Sequence, residues 1–192
     1  MMAFPGPVSH LISLVEIGDL DLVKEVIEKG ANLEEVNEEG NTALFVAAKT
    51  NNLLIVDLLL SSGALVNHQG QKGFSPLSIA CKNGNEKVAS LLLSKGANAN
   101  HPDERETRPL HQACESGNLN IVKNLLDHGA EINAQNIVGS TALMWCADDN
   151  RPEIAEFLIS KGALVDLRNK SQGTALFFCC TKIQRLSGSS PS

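Results

Sequence analysis

The run Arg108-Pro109-Leu110-His111-Gln112-Ala113-Cys114, closing at Gly117, leads to Ile121-Val122-Lys123-Asn124-Leu125-Leu126 and then Gly129-Ala130-Glu131-Ile132-Asn133. Its apolar residues recur twice at helical spacing, and each helical stretch ends on a glycine. The same grammar returns every 33 residues in both directions. Gly30, Gly63, Gly96, Gly129 and Gly162 form one column. Gly18, Asn51, Gly84, Gly117 and Asn150 form a second, and Leu11, Leu44, Leu77, Leu110, Leu143 and Leu176 a third. A fixed period of this length marks a tandem array.

The columns have physical meaning. Gly and Asn best tolerate a left-handed backbone, which occurs just past helix ends, so two such columns imply two helices per unit. The column Ser9, Thr42, Ser75, Arg108, Thr141 and Thr174 stands two residues before the Leu column. Five of these six residues are good N-caps, and Pro76 and Pro109 follow at the first helical position. The second helix of each unit carries one apolar stripe: Leu22, Ile55, Val88, Ile121 and Ile154, then Val26, Leu59, Leu92, Leu125 and Leu158. The first helix uses small residues, with Ala47, Ala80, Ala113, Cys146 and Cys179 in one column. Polar, turn-forming stretches such as Asn67 to Gly73 separate the units and read as hairpin loops. One unit cannot bury both helical faces alone, whereas stacked units share a continuous core.

Gly73-Phe74-Ser75-Pro76-Leu77-Ser78-Ile79-Ala80-Cys81 and the run from Pro109 to Asn133 resemble the ankyrin repeat family pattern over about residues 8 to 182. The resemblance implies an all-α solenoid of stacked helix-turn-helix units with β-hairpin loops, acting as a protein-binding module without catalysis. The expected organisation is an N-terminal tail over 1–7, a capping unit over 8–37, and units over 38–70, 71–103, 104–136 and 137–169. An incomplete unit over 170–182 and a tail over 183–192 follow. Two departures stand out. Glu106 and Arg108 replace the hairpin glycine and the cap of the fourth unit, so that hairpin is expected to be distorted. In the last unit, the columns beyond Cys180 fall on Ile183, Ser187, Gly188, Pro191 and Ser192, so its second helix is expected to be missing.

Composition narrows the function. The 192 residues carry a formal net charge of −6, with 43% hydrophobic and 20% charged residues, which suits a folded globular chain. An acidic chain without a basic stripe argues against duplex nucleic acid. The strongly apolar stretch Leu53 to Leu60 is far short of the roughly 20 residues that cross a bilayer, and Asp57 interrupts it. Five cysteines argue against a disulfide scaffold, and the segment Met1 to Pro7 does not read as a secretion signal. A monomer in the cytoplasm or nucleus is expected.

No residue constellation calls for chemistry. The cysteines sit in the two small-residue columns without metal-ligand spacing and read as core alanine substitutes. Glu34-Glu35, Glu38-Glu39 and Asp148-Asp149 fall on hairpins and turns and read as solvated surface. His68, His101 and His128 read as exposed. No phosphate-cradling loop appears, so no catalytic residue, cofactor or metal is expected. The resemblance implies that His111 ties adjacent hairpins together. It also implies that Asn67, Asn100 and Asn133, which share a column, are candidates for asparaginyl hydroxylation. From the residues alone, each of these asparagines would hold its own hairpin by local hydrogen bonds.

Stacking would place hairpin tips and inner helices on one concave face. The residues there vary in charge while the framework repeats. The candidate partner-binding set is Lys72, Phe74, Lys82, Arg105, Glu115, Ile137, Val138, Met144, Trp145, Asp148 and Asp149. Phe74, Ile137 and Val138 are apolar where solvent favours polar residues, and with Met144 and Trp145 they are the candidate anchors. Trp145 is equally consistent with packing inside the stack. The leading expectation is an interaction scaffold or adaptor that binds a protein partner. The runner-up is a regulatory ankyrin portion of a larger channel, kinase or ubiquitin-ligase subunit.

Overall fold

A computed structural model describes residues 11–177. The helices come in pairs: α1 (Leu11–Ile17) with α2 (Leu20–Glu28), α3 (Ala43–Lys49) with α4 (Leu53–Ser61), and α5 (Pro76–Lys82) with α6 (Glu86–Ser94). The series continues with α7 (Pro109–Ser116) and α8 (Leu119–Asp127), then α9 (Ala142–Asp148) and α10 (Pro152–Ser160). The first helix of each pair packs on the first helix of the next, and the second helices do likewise, so two parallel layers of helices form the array. The expected N-terminal tail, the Ser9 cap, Phe178, Cys179, Cys180 and the chain beyond them lie outside the described residues.

The repeating columns place the core. Leu44, Leu77, Leu110 and Leu143 are buried, as are Ala47, Ala80, Ala113 and Cys146 beside them. Small side chains let the inner helices approach closely. The outer helices bury Ile55, Val88, Ile121 and Ile154 with Leu59, Leu92, Leu125 and Leu158. Leu22, expected in that stripe, is instead 44% exposed, because no outer helix precedes α2 among the described residues. Helix ends follow the left-handed columns: Gly18, Asn51, Gly84, Gly117 and Asn150 all have positive φ. Thr42, Ser75 and Thr141 accept the backbone N–H three residues on, at 3.3, 3.1 and 3.3 Å. Asp19, Asn52 and Asn118 cap the second helices in the same way.

The hairpin loops are tight turns. In each, the N–H of one residue donates to the carbonyl four residues on, as from Asn37 to Asn41 at 3.0 Å and from Asp103 to Thr107 at 2.9 Å. Regular pairing among the described residues amounts to one antiparallel bridge, Val36 with Thr42. The expected distortion at Glu106 does not occur. Glu106 takes the same left-handed conformation as the glycines of its column, and its N–H donates to Asp103 O at 2.9 Å, as Gly40 N–H does to Asn37 O. Arg108 supplies no capping oxygen. Its own N–H donates to His111 Nδ1 at 3.3 Å, and its guanidinium pairs with Glu131.

Candidate functional site

An Asx residue braces most hairpins from within. Asp103 Oδ1 accepts the N–H groups of Arg105 and Thr107, both at 2.8 Å, and Asn136 Oδ1 accepts those of Val138 and Ser140 at 3.1 and 2.9 Å. Successive tips are also tied: Ile137 N–H donates to Arg105 O at 2.8 Å, and Glu104 N–H to Lys72 O at 3.2 Å. Lys72, Arg105, Ile137 and Val138 therefore stand on a rigid ladder of turns rather than on independent loops.

Between this ladder and the inner helices α5, α7 and α9 lies a groove of about 530 Å³. It brings together eight of the expected partner-binding residues: Lys72, Phe74, Lys82, Arg105, Glu115, Ile137, Val138 and Trp145. Phe74 and Trp145 are half-buried, while Ile137 and Val138 are 45% and 51% exposed. Lys82 Nζ stands 5.5 Å from the centre of the Phe74 ring and 4.0 Å from Glu115 Oε2. Trp145 meets His111 edge to face, with ring centres 5.5 Å apart. Trp145 therefore both packs against His111 and lines the groove.

Three expected residues lie elsewhere. Met144, expected as an anchor, is only 2% exposed. It occupies the column of Phe45, Ser78 and His111, all buried, which points into the stack rather than the groove. Asp148 and Asp149 are exposed, at the end of α9 and just beyond it. Gln112 is a groove residue that sequence reasoning missed. It is 3% exposed, and its Oε1 has no hydrogen-bond partner. The available signal was its column, in which Gln112 is the one polar residue between apolar Val46, Ile79 and Trp145, Ser13 of the first unit being the other polar member.

His111 is fully buried. Its Nδ1 accepts from Arg108, so its Nε2–H donates to Ser140 O at 3.0 Å, tying α7 to the next hairpin. Burial holds the imidazole below its usual range. The asparagine column behaves differently from its residue-level reading. Asn100 Nδ2 donates to Gly129 O at 2.9 Å, and Asn100 Oδ1 accepts Glu131 N–H at 2.8 Å. Asn67 and Asn133 likewise accept Asn98 N–H and Leu164 N–H. These bonds bridge consecutive units instead of closing one hairpin, because each side chain reaches the turn after the next outer helix. Glu34 occupies the same column and accepts Leu65 N–H at 2.8 Å, with His68 Nδ1 at 3.3 Å from its other oxygen. Glu34 is therefore an inter-unit peg rather than solvated surface, and His68 and His101 are half-buried rather than exposed.

Cys81, Cys114 and Cys146 are free and buried, and burial pushes the Cys81 and Cys114 thiols up, disfavouring the reactive thiolate. Among the described residues no group of three or more His, Cys, Asp or Glu side chains is placed to hold a metal ion. No helix among them is long and apolar enough to cross a membrane.

No individual curated protein matches the chain. A family model described as ankyrin repeats (3 copies) matches residues 10–103, 62–136 and 110–187. Such repeats are in general protein–protein interaction modules and typically carry no catalysis. The matched spans together cover the stacked helix pairs, the braced hairpins and the groove between them, and the chain belongs to the ankyrin repeat family.

Proposed function

We propose that the chain is a non-enzymatic scaffold or adaptor, a monomer of the cytoplasm or nucleus, that binds a protein partner on its concave hairpin and inner-helix face. The observation that carries this reading is the exposed pair Ile137 and Val138 beside half-buried Phe74 and Trp145, an apolar cluster on an otherwise polar ladder of hairpin tips. Around it stand Lys72, Lys82, Arg105 and Glu115, the polar rim that interfaces of this kind carry. Asp148 and Asp149, exposed at the end of α9 outside the groove lining, are carried as further acidic contacts on the same face.

Trp145→Ala tests the reading. Loss of a central aromatic anchor is expected to weaken partner binding by about 2 kcal/mol. Affinity purification with wild type, Trp145→Ala and the outer-helix control Lys87→Glu, followed by titration of the recovered partner, measures it. Equal affinity for wild type and Trp145→Ala, with the variant less stable, assigns the indole to packing alone. The same reading carries Asn67, Asn100 and Asn133 as hydroxylation candidates. Intact-mass measurement after incubation with an asparaginyl hydroxylase and its cosubstrates would show added oxygen.

A further inference from the structure

We propose that the groove receives an extended polypeptide segment of about nine residues, acidic at the end over α3 and α5, basic at the end over α9, with one bulky apolar side chain at its middle. This rests on the reading of the groove as a protein-binding surface and specifies the chemistry of what enters it.

Three independent features support it. The first is charge order. Lys49, Lys82, Glu115 and Asp148 occupy one column, each at or near the C-terminal end of α3, α5, α7 and α9. From α3 to α9, beyond Glu16 of α1, the sign of this column changes once, from positive to negative, and Asp149 adds to the negative end. Of the hairpin residues lining the groove, Lys72 stands at the positive end, and Asp103 and Glu104, with Arg105 beside them, stand further along. A ligand of uniform charge would be attracted at one end and repelled at the other, whereas one with opposite ends matches both.

The second is Gln112. Its nearly fully buried amide lines the groove, and its Oε1 has no partner. A buried polar atom without a partner is costly in the free protein, and an incoming donor removes that cost. A glutamine amide presents one acceptor and one donor face side by side. A main-chain peptide unit of an extended segment offers the matching donor and acceptor, so turning the terminal torsion of Gln112 toward the groove pairs it with backbone whatever the ligand's sequence.

The third is length and shape. Packed helices lie about 8–10 Å apart, so the groove over α5, α7 and α9, extended along the concave face to Lys49 at the end of α3, spans about 27 Å, and an extended chain rising about 3.3 Å per residue covers that with about nine residues. The apolar centre falls where Phe74 and Trp145 flank the groove of about 530 Å³.

The test selects nonapeptides from a random display library on the immobilised full chain, with Trp excluded from the library. The enriched peptides are then titrated while following Trp145, the single tryptophan of the chain. Enriched sequences are expected to place acidic residues at one end, basic residues at the other and an apolar residue in the middle third. A peptide of that kind should change Trp145 emission and bind about tenfold more weakly to Lys82→Glu and to Gln112→Leu, with Lys87→Glu unaffected. Thermal melts, together with a Gln112→Met variant, separate lost pairing from lost fold. Peptides that move Trp145 emission without any order of charge overturn this inference and leave the groove reading standing. Unchanged affinity in folded Gln112→Leu and Gln112→Met overturns the backbone pairing. Absence of enrichment, or binders that leave Trp145 silent, overturns both the inference and the groove.

Discussion

At the scale of the residue, His111 carries the sharpest consequence. Its ring is committed in one tautomer, with Nδ1 accepting from Arg108 and Nε2–H donating to Ser140. Protonation would turn the acceptor into a second donor facing an N–H, in a fully buried site. The folded-state pKa is lowered, so between it and the ordinary value of about 6.5 the unfolded chain binds the extra proton. His111's contribution is present in full above the unfolded value and is lost as pH falls toward the folded one. Wild type is therefore expected to lose stability as pH falls below about 7, by at most about 1.4 kcal/mol per pH unit from this group. Urea melts across that range measure it. His111→Gln should flatten the dependence, and an unchanged slope would remove His111 as its source. The structural role of this histidine was legible through its Pro-Leu-His setting. The burial of neighbouring Met144 was not taken from its column, because an apolar residue beside a candidate anchor Trp looks equally suited to a surface anchor. Gln112 escaped notice because polarity in a sequence does not reveal burial.

The hairpin is the element in which local chemistry and stacking meet. Gly40, Gly73, Glu106, Gly139 and Gln172 share a column with left-handed backbone. Alanine there pays a conformational cost of about 1 kcal/mol. At Gly40 a new Cβ meets nothing within 4 Å, so Gly40→Ala should cost only about that much. At Gly73 it would lie 2.8 Å from the Glu104 backbone nitrogen, part of the tie to Lys72, so Gly73→Ala should cost more. Equal losses for the two in chemical denaturation would show that the contact between hairpins relaxes freely. Gly70 shows the same coupling from the other side. The Asx column has no side chain there, and Asn41 Oδ1 instead reaches across to accept Gln71 N–H at 2.8 Å. The left-handed ends were legible because so few residue types tolerate them. The undistorted hairpin at Glu106 was not, because tolerance of a strained residue depends on the hydrogen bonds around it.

For the whole molecule, stability is a sum of units and of the junctions between them. Asn100 supplies two hydrogen bonds to one junction, so Asn100→Ala should lower stability by about 1–2 kcal/mol. It should also separate the urea transition followed by circular dichroism from that followed by Trp145, which lies beyond that junction. Coincident, unshifted transitions would show the peg to be dispensable. The register of the described units, the two helices in each and the small-residue faces that pack them follow from the sequence by itself, since each rests on spacing and on local backbone preference that the copies repeat. The tertiary structure alone decided which polar residues bridge units, that Met144 faces the stack and Trp145 the groove, and that Gln112 waits unpaired beneath it. Those outcomes turn on contacts of side chains with backbone 29 to 37 residues away, whose direction and burial exist only once neighbouring units are in place.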